Sequence, residues 1–137
     1  MNKTGIDNLD YGLCHGDLHG ENAHEYGGKV THFDFDCCGF GWRIYDLATF
    51  KWVIRLLGKE DRLWSSFLEG YRSIREISDL DLSLIEPFVV MRDIWFFGLN
   101  TGNVLAQGQL NDNYIDLHIH FLKSVSEKID SVKNDRC

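Results

Sequence analysis

The sequence predicts an α+β fold that is mainly α, a small β-hairpin followed by about four helices, and three observations carry that expectation. Two strand-like segments flank Gly27-Gly28, and from Tyr45 onward apolar residues recur at helical spacing. The 137 residues are 44% apolar and 13% aromatic, which is enough to build a core. One Pro and the lack of repeats or long Ser/Gly-rich segments leave no place to cut the chain, so residues 11–137 read as one lobe.

Residues 1–10 are polar and read as a flexible lead. Residues 22–26 and 29–36 form the hairpin, because Gly27-Gly28 supplies the positive φ angles that a two-residue turn requires. Alternation along the second strand puts Val30, His32, Asp34 and Asp36 on one face and Thr31, Phe33 and Phe35 on the other. Leu47, Phe50, Val53, Ile54 and Leu57 make a helical stripe ended by Gly58. Leu63, Trp64, Phe67, Leu68, Tyr71, Ile74 and Ile77 make the next. Ser83 and Glu86 have capping-box spacing, and Pro87 suits the first turn of a helix through residues 88–99. The Gly and Asn residues between 98 and 113 predict a loop, with or without a short helical piece. A last helix from about Tyr114 turns Leu117, Phe121, Val125, Ile129 and Val132 inward. Trp52, Trp64, Trp95, Phe96 and Phe97 fall at helical spacing, where core packing is the expectation.

A formal net charge of −7 with 14 scattered Lys and Arg argues against a nucleic-acid partner, which needs clustered cations. No basic-then-apolar leader is evident, and the longest apolar run is broken by Arg92 and Asp93, so neither secretion nor a membrane span is expected. Cys14, Cys37, Cys38 and Cys137 lack metal-ligand spacing, and the neighbours Cys37 and Cys38 do not easily bridge each other. Reduced thiols in a cytoplasmic protein follow.

Chemistry concentrates in His15-Gly16-Asp17-Leu18-His19-Gly20-Glu21-Asn22, then Phe33-Asp34-Phe35-Asp36, then Tyr45-Asp46-Leu47-Ala48. The turn pairs Tyr26 with Lys29, so counting outward sets Asn22 opposite Phe33 and one step from Asp34. An amide oxygen and a carboxylate converging there, near Asp17, suit a hard divalent cation, with Mg²⁺ the natural candidate. In phosphoryl transfer a separate carboxylate orients the nucleophile and takes its proton, a task for which Asp17 is free.

The run His15-Gly16-Asp17-Leu18-His19-x-x-Asn22 resembles the catalytic loop of the aminoglycoside phosphotransferase and choline kinase-like superfamily, itself similar to the protein-kinase loop. The resemblance covers most of the chain from Tyr11 on and implies the C-terminal lobe of a protein-kinase-like fold. It implies that Asp17 is the catalytic base, that Asn22 and Asp34 hold Mg²⁺, and that Asp46 is the buried acid bracing the loop; a plain helix N-cap is the other reading of Asp46. The partners implied are ATP and the hydroxyl of a small molecule. No residues in this chain match the glycine-rich strands or the nucleotide-gripping Lys of the N-terminal lobe. A fragment, a lobe completed by another polypeptide, or self-association through apolar surface is therefore expected.

The supporting residues have two readings each. His15 either bonds backbone near the second strand or moves protons, and His19 either faces the transferred phosphate or is structural. Asp36 is a second metal contact, a substrate-side acid or an exposed residue. Two other functions compete. One is a non-catalytic binding module. The other is a metallophosphoesterase, suggested by Gly16-Asp17-Leu18-His19-Gly20 but lacking that family's further metal segments.

Overall fold

A computed structural model describes residues 5–108 and 111–134 of the chain. It is mainly helical with two small antiparallel sheets, and it divides into two compact units, Met1–Ile85 and Glu86–Cys137. The sequence reading took residues 11–137 as one lobe. No Pro- or Gly-rich linker marks the division, because a helix begins right at it.

In the first unit, strand β1 (Tyr11–Cys14) pairs antiparallel with β4 (Gly39–Trp42), and β2 (Ala23–Tyr26) with β3 (Lys29–His32). The β2–β3 hairpin has the expected register, Tyr26 against Lys29, with Gly27 and Gly28 at φ 59° and 76°. The Phe33 amide donates to the Asn22 carbonyl at 3.1 Å and extends the pairing by one step. The second strand stops at His32 rather than running to residue 36. Asp34 takes φ 61°, a left-handed conformation that breaks the pleat, so the expected shared face of His32, Asp34 and Asp36 does not form.

Sheet β1–β4 was not foreseen. Its partners lie 25 to 31 positions apart and are rich in Gly, which masks strand propensity. On β1, Gly12 and Cys14 face inward while Tyr11 and Leu13 face out. Part of the expected flexible lead belongs to this unit: Gly5–Asn8 make a 3-10 turn, Leu9 is buried, and Asp10 is held by two arginines.

Helix α1 (Ile44–Leu56) buries Ile44, Leu47, Ala48, Trp52 and Ile54. It ends at Gly58 as predicted. With Gly58 at φ 64°, its amide reaches the Arg55 carbonyl and the Lys59 amide the Ile54 carbonyl, the paired bonds of a Schellman cap. Helix α2 (Glu60–Arg72) packs on α1 through stacked Phe50 and Phe67 rings, with centroids 3.9 Å apart. It stops before Ile74 and Ile77, and Ile74 is exposed because the chain there turns to bring Arg75 to Asp10. Ser78 caps the short α3 (Asp79–Ser83) by accepting from the Asp81 amide. Ser83 lies inside α3 and donates to the Leu80 carbonyl at 2.7 Å, so the expected capping box with Glu86 is not made.

The second unit consists of α4 (Ile85–Ala106) and α5 (Asp112–Asn134). Pro87 sits in the first turn of α4, but the helix runs straight through the predicted loop at Gly98 and Gly102. Each Gly costs about 1 kcal/mol against Ala. Asn100 and Thr101 hydrogen-bond back to the Phe96 and Phe97 carbonyls, and Phe97 stacks on Tyr114 of α5, with centroids 5.6 Å apart. The buried stripe of α5 is His118, Phe121 and Val125, one position off the expected Leu117, because the His118 imidazole is drawn in to Asp93 at 3.0 Å. Trp52 is a core residue, whereas Trp95 is exposed under the Arg92 guanidinium. The side chains of Ile129 and Val132, and all of Cys137, lie outside the described residues. Among the described residues no helix is long and apolar enough to cross a membrane.

Candidate active site

The loop after β1 is built on one carboxylate. Asp46, in the first turn of α1, accepts from the His15 amide through Oδ2 at 2.7 Å and from the Gly16 amide through Oδ1 at 2.8 Å. Charge-assisted bonds of this kind are roughly twice as strong as neutral ones. Gly16 has φ 82°, and a Cβ there would stand 2.2 Å from the Cys37 carbonyl oxygen, so the loop passes under the 36–38 turn only because residue 16 lacks a side chain.

His15 is buried and joins the loop to the hairpin base. Its Nε2 lies 2.9 Å from the Phe33 carbonyl, and its Nδ1 is 3.3 Å from the Asp17 amide. A carbonyl only accepts and an amide only donates, so in this pairing Nε2 is the donor and Nδ1 the acceptor. Its ring also packs on Phe35, with centroids 4.5 Å apart.

Asp17 is held from both sides. The Asn22 amide nitrogen donates to the Asp17 carbonyl at 3.0 Å and reaches its carboxylate Oδ2 at 3.4 Å. His19 caps the 3-10 turn Gly20–Asn22 by accepting from the Glu21 amide through Nδ1, which leaves Nε2 to approach Asp17 Oδ2 at 3.4 Å. Asn22 is buried, and with Nδ2 committed to Asp17, Oδ1 is the atom it can present to a cation. The fold thus brings His15, Asp17, His19, Asn22 and Asp46 together. Asp34 follows Phe33 next to Asn22 on the exposed side, and Asp36 is exposed two residues further on.

The Asn22 amide oxygen and the Asp34 carboxylate are hard oxygen donors, the kind that suits a divalent cation such as Mg²⁺ completed by water and phosphate. Among the described residues no group of three or more His, Cys, Asp or Glu side chains stands placed to hold a metal ion. A cleft of about 340 Å³ is lined by Leu13, Leu18, Asp46 and Tyr71 but not by Asp17, Asn22 or Asp34.

A second cluster escaped the sequence reading. Arg43 donates to Asp10 Oδ1 at 2.6 Å and to the Tyr11 carbonyl at 2.9 Å, and its own carbonyl accepts from the Asp46 amide. Arg75 completes a fork on Asp10 at 2.6 and 2.9 Å, and buried Asp81 accepts from the Asp10 amide. The Arg75 hydrogen bond, with Arg43 assisting, holds the Asp10 carboxyl below the ordinary carboxylate range despite partial burial. Asp10 and its partners Arg43, Arg75 and Asp81 are 33 to 71 residues apart and leave no local signal. Only Gly12, an isolated Gly within a strand, hinted at a close approach.

The family model of the phosphotransferase enzyme family, APH, matches residues 4–77. An uncharacterized protein of Deinococcus radiodurans is 39% identical over 127 residues, covering 88% of this chain and 37% of its own length. Amicoumacin kinase of Bacillus subtilis is 29% identical over 99 residues, covering 66% of this chain and 30% of its own. Among solved structures, amicoumacin kinase hAmiN in complex with AMP-PNP, Ca²⁺ and Ami superposes with a TM-score of 0.65 at 30% identity, over 86% of this chain and 38% of that one. The chain spans about a third of the length of the curated relatives it matches.

Proposed function

This chain belongs to the phosphotransferase enzyme family matched by its residues 4–77, and from that premise we propose that it is the catalytic-loop lobe of an ATP- and Mg²⁺-dependent kinase acting on a small-molecule hydroxyl. The observation that carries the reading is the two-pronged grip of Asp46 on His15 and Gly16, which holds Asp17 rigidly between Asn22 and His19. The solved relative in complex with an ATP analogue, a divalent cation and Ami supports the donor, metal and acceptor classes.

In this role Asp17 orients the acceptor O–H and takes its proton as the oxygen attacks phosphorus. His19 and Asn22 fix the carboxylate, so little ordering remains to be done at the moment of reaction. Asn22 Oδ1 and the Asp34 carboxylate would hold the cation, which when bound neutralises charge on the phosphate oxygens. His15 keeps loop and hairpin base in register, and Asp36 remains on the open surface. We assign the lysine that grips the nucleotide to polypeptide beyond the matched third, and a reducing, cytoplasmic setting suits free Cys14, Cys37 and Cys38.

The second reading is a lobe that binds a partner without transferring phosphate. Calorimetry of Mg²⁺-ATP against this chain separates the two. Binding in the millimolar range or tighter, weakened about tenfold or more by Asp34→Ala, is expected of the kinase lobe. Absence of heat at millimolar nucleotide would leave the binding module, and binding unchanged by Asp34→Ala would refute the metal assignment.

A further inference from the structure

Cys37 and Cys38 have no task in phosphoryl transfer, yet they are free, consecutive and both exposed, while Cys14 is buried. They form the second half of a tight turn in which the Cys38 amide donates to the Phe35 carbonyl at 3.0 Å, and Cys38 leads directly into β4. The Cys37 backbone is seated on Gly16, its carbonyl oxygen 2.2 Å from where a Gly16 Cβ would be. Turn, strand and loop therefore anchor the backbone on both sides of the pair, while the thiols face solvent.

Consecutive Cα atoms are about 3.8 Å apart. A direct disulfide would have to close a small ring on a sulfur–sulfur bond of about 2 Å, which strains the intervening peptide. A third atom accepting both sulfurs widens the ring and removes that strain. Two soft donors and, among the described residues, no third Cys, His or carboxylate in a metal-binding group suit a thiophilic centre that needs only two sulfurs.

We infer that Cys37 and Cys38 form a two-thiol chelating site for trivalent organoarsenic and centres of the same thiophilic class. In the capture step an arsenic–oxygen double bond breaks and two arsenic–sulfur bonds form. The two thiol protons leave with the oxygen as one water, and arsenic stays trivalent, so no oxidant or reductant is involved. The hard-oxygen cation site at Asn22 and Asp34 is distinguished by ligand type, and this inference stands whether or not the chain transfers phosphate.

The test uses phenylarsine oxide on the full chain, read by intact-protein mass spectrometry. One phenylarsenic group, with loss of one water, is expected to stay bound in excess 2-mercaptoethanol and to be stripped by the dithiol 2,3-dimercaptopropanol. Cys37→Ser and Cys38→Ser should each weaken retention about 100-fold or more, the usual advantage of two linked contacts over one. Cys137→Ser should leave it unchanged, and circular dichroism checks that each variant is folded. Cys37→Ala provides a second substitution at the same position and should match Cys37→Ser. The inference is overturned if the monothiol strips the wild-type adduct, if either single variant retains it undiminished, or if Cys14→Ser or Cys137→Ser abolishes it.

Discussion

The guanidinium of Arg43 occupies the space that a side chain on Gly12 would need: a Cβ at residue 12 would stand 1.6 Å from Arg43 Nη2. Arg43 is the flexible partner, so Gly12→Ala should expel it and break its bonds to Asp10 and the Tyr11 carbonyl. We expect Gly12→Ala and Arg43→Ala each to cost about 1–3 kcal/mol. The double variant should cost little more than either alone. Urea denaturation of the four proteins checks this, and additive losses would show that the two residues act separately.

Asp46 offers two acceptor oxygens to two backbone donors, which Asn cannot do, because its NH₂ would face an N–H. Asp46→Asn should therefore lose about 2–4 kcal/mol, counting one lost bond and weakening of the other. Hydrogen exchange at the His15 and Gly16 amides should accelerate more than at β2–β3. Unchanged exchange at those two amides would mean that the loop holds itself.

The acid limb of stability should carry the signature of Asp10. Its folded-state carboxyl lies below the ordinary value of 3.8, chiefly through the Arg75 hydrogen bond. A depressed carboxylate adds stability that is full above the unfolded-state value and fades as pH falls through the folded-state one. Wild type should thus exceed Asp10→Asn in stability at neutral pH, with the gap narrowing below about pH 4. Thermal melts between pH 2 and 7 report it, and a constant gap would contradict the assignment.

What could be read from the sequence was what local chemistry dictates. Gly27-Gly28 set the hairpin register, and with it the meeting of Asn22 and Phe33, because a two-residue turn allows few alternatives. Gly58 marked the end of α1 for the same kind of reason. The strand was expected to continue through Asp34, but the chain reverses its φ there to enter the 36–38 turn, a choice made by contacts with Gly16 rather than by propensity. In α4, tertiary stacking of Phe97 on Tyr114 outweighed two helix-weakening glycines. At the site, the cluster of His15, Asp17 and Asn22 was visible as spacing. The grip of Asp46 rested on resemblance, and Asp10, Arg43 and Arg75 were invisible because pairing across 33 to 65 residues depends on the finished fold.

The last rung of β1–β4 pairs Cys14 with Gly39. Residues 15–38 therefore leave and return through one narrow neck, carrying every candidate site residue except Asp46. Entropy charges little for enlarging a loop already closed at its neck, about 0.6 kcal/mol per doubling of length. The segment has the makings of an exchangeable cassette: its far tip at Gly27-Gly28 is free to be lengthened or swapped between relatives, while the rung and the Asp46 grip form the socket that any replacement must fit.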